Sequence, residues 1–371
     1  MFETISEGFV NRRPPESALP VAAGPRLAVT AAGEVLCTFM VQSALGINDF
    51  VPVLTRSADL GATWTEPVPL FPALQGAVSL FGSIGPGQAN ELFFCGIRIP
   101  VDRPGESFWS DATQGMKQNS LFWSRSVDGG AVWSDPREIP LDGPGSAEAT
   151  CPLAVTRRGR WLACYSPYNS FDPAVQVDRG RVVVACSDDQ GATWFHRDVL
   201  RFAEPDSGGA EAWVVELADG RLLATCWHVD HTSSRQYPNA FAVSDDGGDR
   251  WTPTLSTGTL GQSTSLTPLA GPGGNAAALF VYNQRKQGQP GIRIAPVHPT
   301  QAGFGAAADQ LVWAAPMATQ HGTSAEHAEW TDFSFGEPAV AVLPDGTCLL
   351  VFWCIQPTGS GIRFVKMRRR S

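Results

Sequence analysis

The sequence predicts an all-β protein: a six-bladed β-propeller of four-stranded antiparallel blades, its ring closed by the N-terminal strand. Three observations lead there. One polar turn recurs four times, short strands and tight turns alternate along the chain, and Gly 38 and Pro 29 supply about 18% of 371 residues. Such a composition is rich in turns but stays short of the level that signals disorder.

The recurring turn reads Ser57-x-Asp59-x-Gly61-x-Thr63-Trp64, Ser126-x-Asp128-x-Gly130-x-Val132-Trp133, Ser187-x-Asp189-x-Gly191-x-Thr193-Trp194 and Ser244-x-Asp246-x-Gly248-x-Arg250-Trp251, with aspartates 69, 61 and 57 residues apart. Self-similarity at a near-constant period decides architecture before any other feature. The Asp carboxylate and Ser hydroxyl can accept backbone N–H groups within the turn. Gly accepts a positive φ, and Trp buries a large apolar face. Nothing in the turn is poised for catalysis, so its aspartates are expected to be structural.

Between these boxes, "AWVVELADGRLLATCW" is a strand, an Asp-Gly turn and a strand. "RLAVTAAGEVLCTF", "LAVTRRGRWLACYS" and "AVAVLPDGTCLLVFW" repeat the plan. Each unit is strand, short turn, strand, longer loop, strand, box turn, strand, which is one propeller blade. Six units follow, with inner strands expected to begin near Arg26, Val78, Pro152, Trp213, Ser265 and Pro338. The fifth has no box, and the sixth ends after its third strand. "FETISEGFV" at the N-terminus is expected to supply the missing strand and remove an open edge. Residues 1–371 thus read as one propeller domain.

Hydrophobic residues make up 43% and charged residues 17%, with net charge −9 and pI ≈ 5.2. No nucleic-acid partner is expected from that balance. No apolar leader or membrane-spanning stretch is visible, so the expected location is cytoplasmic, or secreted if the chain is a trimmed mature form. The eight cysteines sit in apolar strand-like runs and read as reduced core residues. No cofactor is expected.

Strand parity locates a site. The turn after strand 1 and the box turn share one face of the disc; the entry to strand 1 and the loop after strand 2 share the other. The box face is stereotyped, which leaves the second face free to carry function. Gathered there are Asp49, the excursion "RIPVDRPGESFWSDATQGMKQN" with Arg98, then Tyr168, Asp172 and Glu211. The loop "HVDHTSSRQYP" adds His228, Asp230, His231, Arg235 and Tyr237; Arg285, His321, His327, Trp330, Asp332 and Glu337 follow. Glu211 and Glu337 each stand nine residues before a turn glycine, Gly220 and Gly346. Two such carboxylates should converge and could serve in glycoside cleavage. His228 or His231 could instead act as the base of a uronate-directed lyase. Two histidines three apart in a loop match no metal signature, so no metal is expected.

The box pattern, the blade length and the run "EAWVVELADGRLL" at Glu211–Leu223 resemble the sialidase (neuraminidase) superfamily of Asp-box, or BNR-repeat, propellers. The resemblance implies an exo-acting glycoside hydrolase with a carbohydrate substrate, an acidic sugar among the candidates. It matches Glu211 to the family's strand-entry glutamate, which activates a tyrosine nucleophile. Asp49 falls in the region of the acid/base aspartate, and Arg285 matches one of three carboxylate-binding arginines. The chain also departs from the pattern. Trp227 and His228 stand where the family has an arginine, and Glu337 stands where it has the tyrosine. Arg26 is offset by an odd number of residues, which should turn it to the wrong face. The expectation is therefore a glycosidase diverged from strict sialic acid recognition, with Glu211, Asp49, Glu337, His228 and His231 catalytic. Arg285, Arg235, Tyr237, Arg98 and Trp330 would bind substrate. The alternatives are the lyase and a non-catalytic glycan-binding propeller.

Overall fold

The computed structural model describes residues 1–233, 235–269, 276–315, 334–356 and 359–370. It is a six-bladed propeller of four-stranded antiparallel sheets, and its described residues contain a single short 3-10 turn, Pro72–Leu74. Blade 1 runs Val21–Val29, Val35–Gln42, Val51–Ser57 and Val68–Pro69; blade 2 runs Val78–Pro86, Leu92–Pro100, Ser120–Ser126 and Arg137–Ile139. In blade 3 the inner strand is broken into Ser146–Glu148 and Ala154–Val155, followed by Trp161–Tyr168, Arg181–Ser187 and Phe195–Arg201. Blade 4 is Ser207–Glu216, Leu222–Asp230, Ala240–Ser244 and Leu255–Ser256, and blade 5 is Gln262–Leu269, Ala277–Gln284, Gly291–Val297 and Gln310–Ala314.

Blade 6 closes the ring. Phe335–Val342, Cys348–Gln356 and Gly359–Arg369 are completed by the N-terminal strand Phe2–Arg12, which pairs antiparallel with Gly359–Arg369. Gln310 of blade 5 clasps that strand, accepting from the Phe2 N–H and donating to the Phe2 carbonyl, both at 2.7 Å.

Second strands such as Val35–Gln42, Trp161–Tyr168 and Ala277–Gln284 are buried at every residue. Each lies inside a blade covered on both faces by its neighbours, so their sequences are apolar at both parities instead of alternating. Aromatic side chains fill the seams: Phe93 and Trp123 of blade 2 meet Trp161 of blade 3 at 4.6 and 5.0 Å. All eight cysteines are buried and unbonded to one another.

The four box turns are built alike. In the first, Ser57 Oγ donates to Asp59 Oδ1 at 2.8 Å, while the Gly61 N–H donates to Ser57 Oγ and the Thr63 N–H to Asp59 Oδ1, each at 2.8 Å. The same three bonds recur around Asp128, Asp189 and Asp246. Gly191, at φ 81, shows why the glycine is needed. A Cβ there would stand 2.8 Å from Trp123 and 2.9 Å from Trp161.

Five inner strands begin upstream of their expected starts, at Val21, Ser146, Ser207, Gln262 and Phe335; the sixth begins at Val78 as read. Pairing extends past a β-bulge in four of them, between Ala23/Arg26, Ala210/Trp213, Gln262/Thr264 and Gly336/Ala339. A left-handed residue occupies each bulge: Gly24 (φ 59), Glu211 (φ 50), Ser263 (φ 40) and Glu337 (φ 50).

Candidate active site

The bulges aim side chains at the ring axis, where a pocket of about 200 Å³ opens on the face away from the box turns. Inner-strand entries supply its floor: Glu148, Glu211 and Glu337. Loops and strand ends after the second strands supply its wall, including Gln42, Phe108, Trp109, Tyr168, Trp227, Arg285 and Trp353. No box residue lines it, as strand parity requires. The excursion after the second strand of blade 2 folds into a small hairpin, Trp109–Ser110 with Gly115–Met116, that brings Trp109 over the glutamates.

The three glutamates are stitched to neighbouring blades. Glu337 Oε2 accepts the Gly24 N–H at 2.9 Å, and Glu148 Oε2 accepts the Glu211 N–H at 2.8 Å. Ser263 hydrogen-bonds the Glu211 carboxylate, while Glu211 Oε2 is buried without a partner. Burial and then the charge of Glu211 push the Glu148 carboxyl up to about 8. Burial and then Glu337 raise Glu211 to about 7. Desolvation in a site crowded with like charge is the common cause.

Two guanidiniums balance these carboxylates. Arg285 is buried, donates from Nε to the Phe335 carbonyl at 2.9 Å and has its own pKa lowered to about 10 by burial. Arg26 corrects the parity expectation. It is 2% exposed and reaches across the axis, donating from Nε to the Thr150 carbonyl at 3.0 Å and lying 3.9 Å from Glu337. Between Ala23 and Arg26 three steps oppose the two from Met40 to Thr38. The extra bulge residue restores the face that an unbroken strand would have lost.

The other expected residues divide. Glu211, Glu337, Arg285 and His231 line the pocket. Asp49 does not; its carboxylate turns back on its own loop to accept the Ser43 N–H at 3.2 Å. Strand alternation sends Trp227 and Val229 into the pocket and His228 to the opposite side. There it stacks between Phe202 (4.3 Å) and Tyr237 (4.2 Å), with Arg235 4.7 Å above Tyr237. His228, Tyr237 and Arg235 thus form a pillar beside the site rather than part of its wall. Arg98 is 40% exposed, 3.9 Å from Glu138 on the outermost strand of blade 2. Trp330, with His321, His327 and Asp332, lies outside the described residues. Burial lowers His228 to about 4 and His231 to about 3, so both rings are neutral at pH 7. Among the described residues no group of three or more His, Cys, Asp or Glu side chains is placed to hold a metal ion.

Sequence reasoning missed Glu148, rejected Arg26 and did not name the aromatic wall of Phe108, Trp109 and Trp353.

No protein-family model and no curated protein matches the chain. Solved structures share its fold at low identity. A Dyadobacter fermentans protein of unknown function superposes with TM-score 0.76 at 19% identity, over 100% of this chain and 99% of that one. An α-L-arabinofuranosidase of Fusarium graminearum, in complex with an iminosugar inhibitor, gives 0.67 at 14%, over 98% of both chains. A sialidase of Streptococcus pneumoniae gives 0.62 at 12%, over 97% of this chain and 70% of that one. At these identities the likeness is one of fold.

Proposed function

We propose that the protein is a glycoside hydrolase that releases a terminal sugar through the carboxyl groups at the floor of its pocket. The observation that carries this is the backbone of Glu211 and Glu337. Both adopt the left-handed conformation that costs a side-chain-bearing residue roughly 1–2 kcal/mol. At the matching position of blade 1 a glycine, Gly24, makes the same bulge. Glutamate is therefore not what the bulge requires; what it adds is a carboxyl group at the axis.

Glu148, with a carboxyl that keeps its proton at neutral pH, suits the general acid that protonates the leaving oxygen. Glu211, titrating near neutrality and with Oε2 unpartnered, suits the base that takes a proton from water or the nucleophile that attacks the sugar. Glu337 and the two guanidiniums set the field around the developing charge. Arg26 and Arg285 both donate to backbone carbonyls and face glutamates, which favours their balancing the site over clamping a substrate carboxylate. The arabinofuranosidase and sialidase among the fold neighbours add support for a sugar substrate. Hydrolysis is favoured over a lyase because His228 stands outside the pocket and His231 Nε2 is packed against Gly208.

A panel of aryl glycosides tests the reading. The parent chain should release aryl alcohol without forming an unsaturated, ultraviolet-absorbing sugar. Glu211→Gln should retain its melting temperature while kcat falls roughly 10²–10⁴-fold. An unchanged kcat would remove Glu211 from the chemistry, and glycan retention without turnover would point to a binding propeller.

A further inference from the structure

His231 lines a second cavity as well as the central pocket. This second cavity is polar and lies outward of blades 3 and 4, walled by Thr113, Asn169, Asp172, Arg179 and Asp206. Tyr168, a wall residue shared with Glu148, meets the His231 ring edge-on at 5.6 Å.

Three polar atoms of its described lining are buried without partners: Thr113 Oγ1, Arg179 Nη1 and His231 Nε2. His231 is 7% exposed, and burying such groups unpaired is costly. Gly208 makes the room, since a Cβ there would stand 2.6 Å from His231 Nε2. Among the described residues, Arg179 is the one cation of a wall that also holds Asp172, Asp178, Glu204 and Asp206. An anionic ligand would meet more negative charge than positive. A neutral polyhydroxyl ligand fits both halves of the wall, its hydroxyls donating to carboxylates and accepting from Arg179.

We propose that this cavity is a second saccharide subsite, taking the neutral glycosyl unit joined to the one held over the glutamates. The proposal rests on the hydrolase reading and narrows it to oligosaccharides of at least two units. The test uses the full chain carrying Glu211→Gln, with the monosaccharide whose aryl glycoside the parent hydrolyses and the matching disaccharide as probes. Calorimetry should show the disaccharide binding at least about tenfold more tightly. Adding Arg179→Met, or Val175→Trp to fill the cavity from its rim should either variant fail to fold, should reduce that preference about tenfold. In the parent background the same changes should lower the ratio of disaccharide to aryl-glycoside kcat/KM by a similar factor. Equal affinity for the two sugars, or a preference that survives both substitutions, would overturn the subsite while leaving the hydrolase reading intact. Failure to hydrolyse any glycoside would take down both.

Discussion

Replacing Glu148 with glutamine should move stability and activity in opposite directions. The Glu148 carboxyl is raised from 4.5 to about 8, first by burial and then by Glu211. Its Oε2 accepts the Glu211 N–H at 2.8 Å, and a glutamine oxygen can keep that bond. Because the folded value lies above the unfolded one, the group's contribution to stability is fully present below pH 4.5 and is lost as pH rises through about 8. At about 1.4 kcal/mol per unit, the cost of ionisation approaches about 5 kcal/mol at pH 9. Glu148 is only half-buried on its pocket side, where water reduces that to roughly 2–3 kcal/mol. Urea unfolding at pH 9 should therefore find Glu148→Gln more stable than the parent by about that amount. The two chains should converge near pH 4.5. On an aryl glycoside hydrolysed by the parent, kcat should fall by roughly 10²–10⁴. A variant less stable than the parent at pH 9 would refute the claim that burial strains this carboxyl. A stabilised variant with unchanged kcat would refute its catalytic role.

Gly336→Ala should disturb the pocket through Arg285, since the new Cβ would sit 2.2 Å from Nη2 of that residue and 2.8 Å from Trp353 Nε1. The expected result is a stability loss of about 1–3 kcal/mol from overpacking with a lower kcat/KM; a variant with parental melting temperature and kinetics would show that Arg285 has room to spare. Deleting residues 2–12 should expose the Gly359–Arg369 edge and produce an aggregating species in light scattering. A truncated chain with the parental scattering and melting temperature would show that ring closure does not depend on this strand.

The blades were readable because their determinants are local. A box turn closes on itself through Ser, Asp and Gly within five residues, so its chemistry is visible in the sequence without knowing what packs outside it. The N-terminal strand was readable by counting, because blade 6 lacked one strand and an open edge is costly. Strand starts were less visible. Whether pairing resumes beyond Glu211 or Glu337 depends on neighbouring blades holding the bulge through bonds such as Glu148 to the Glu211 N–H, and those are contacts between segments distant in sequence.

The same bulges explain the errors in the site. Counting parity from the expected strand-entry position assumes one residue opposite one, which fails where three steps oppose two between Ala23 and Arg26. Arg26 was turned away on that count and is in fact at the axis. Glu148 escaped for a related reason. Nine residues before Gly159 stands Thr150, whose carbonyl accepts Arg26 Nε and, at 2.6 Å, Ser83 Oγ. That backbone is taken up by cross-ring bonds, and the inner strand of blade 3 breaks there, resuming at Ala154. The carboxyl group is supplied two residues earlier instead. The break adds two residues, six steps from Glu148 to Ala154 opposing four from Ser166 to Leu162, and an even insertion leaves the parity of the count unchanged. Extending the search from each turn glycine in steps of two would have reached Glu148, and allowing one extra residue per inner strand would have returned Arg26.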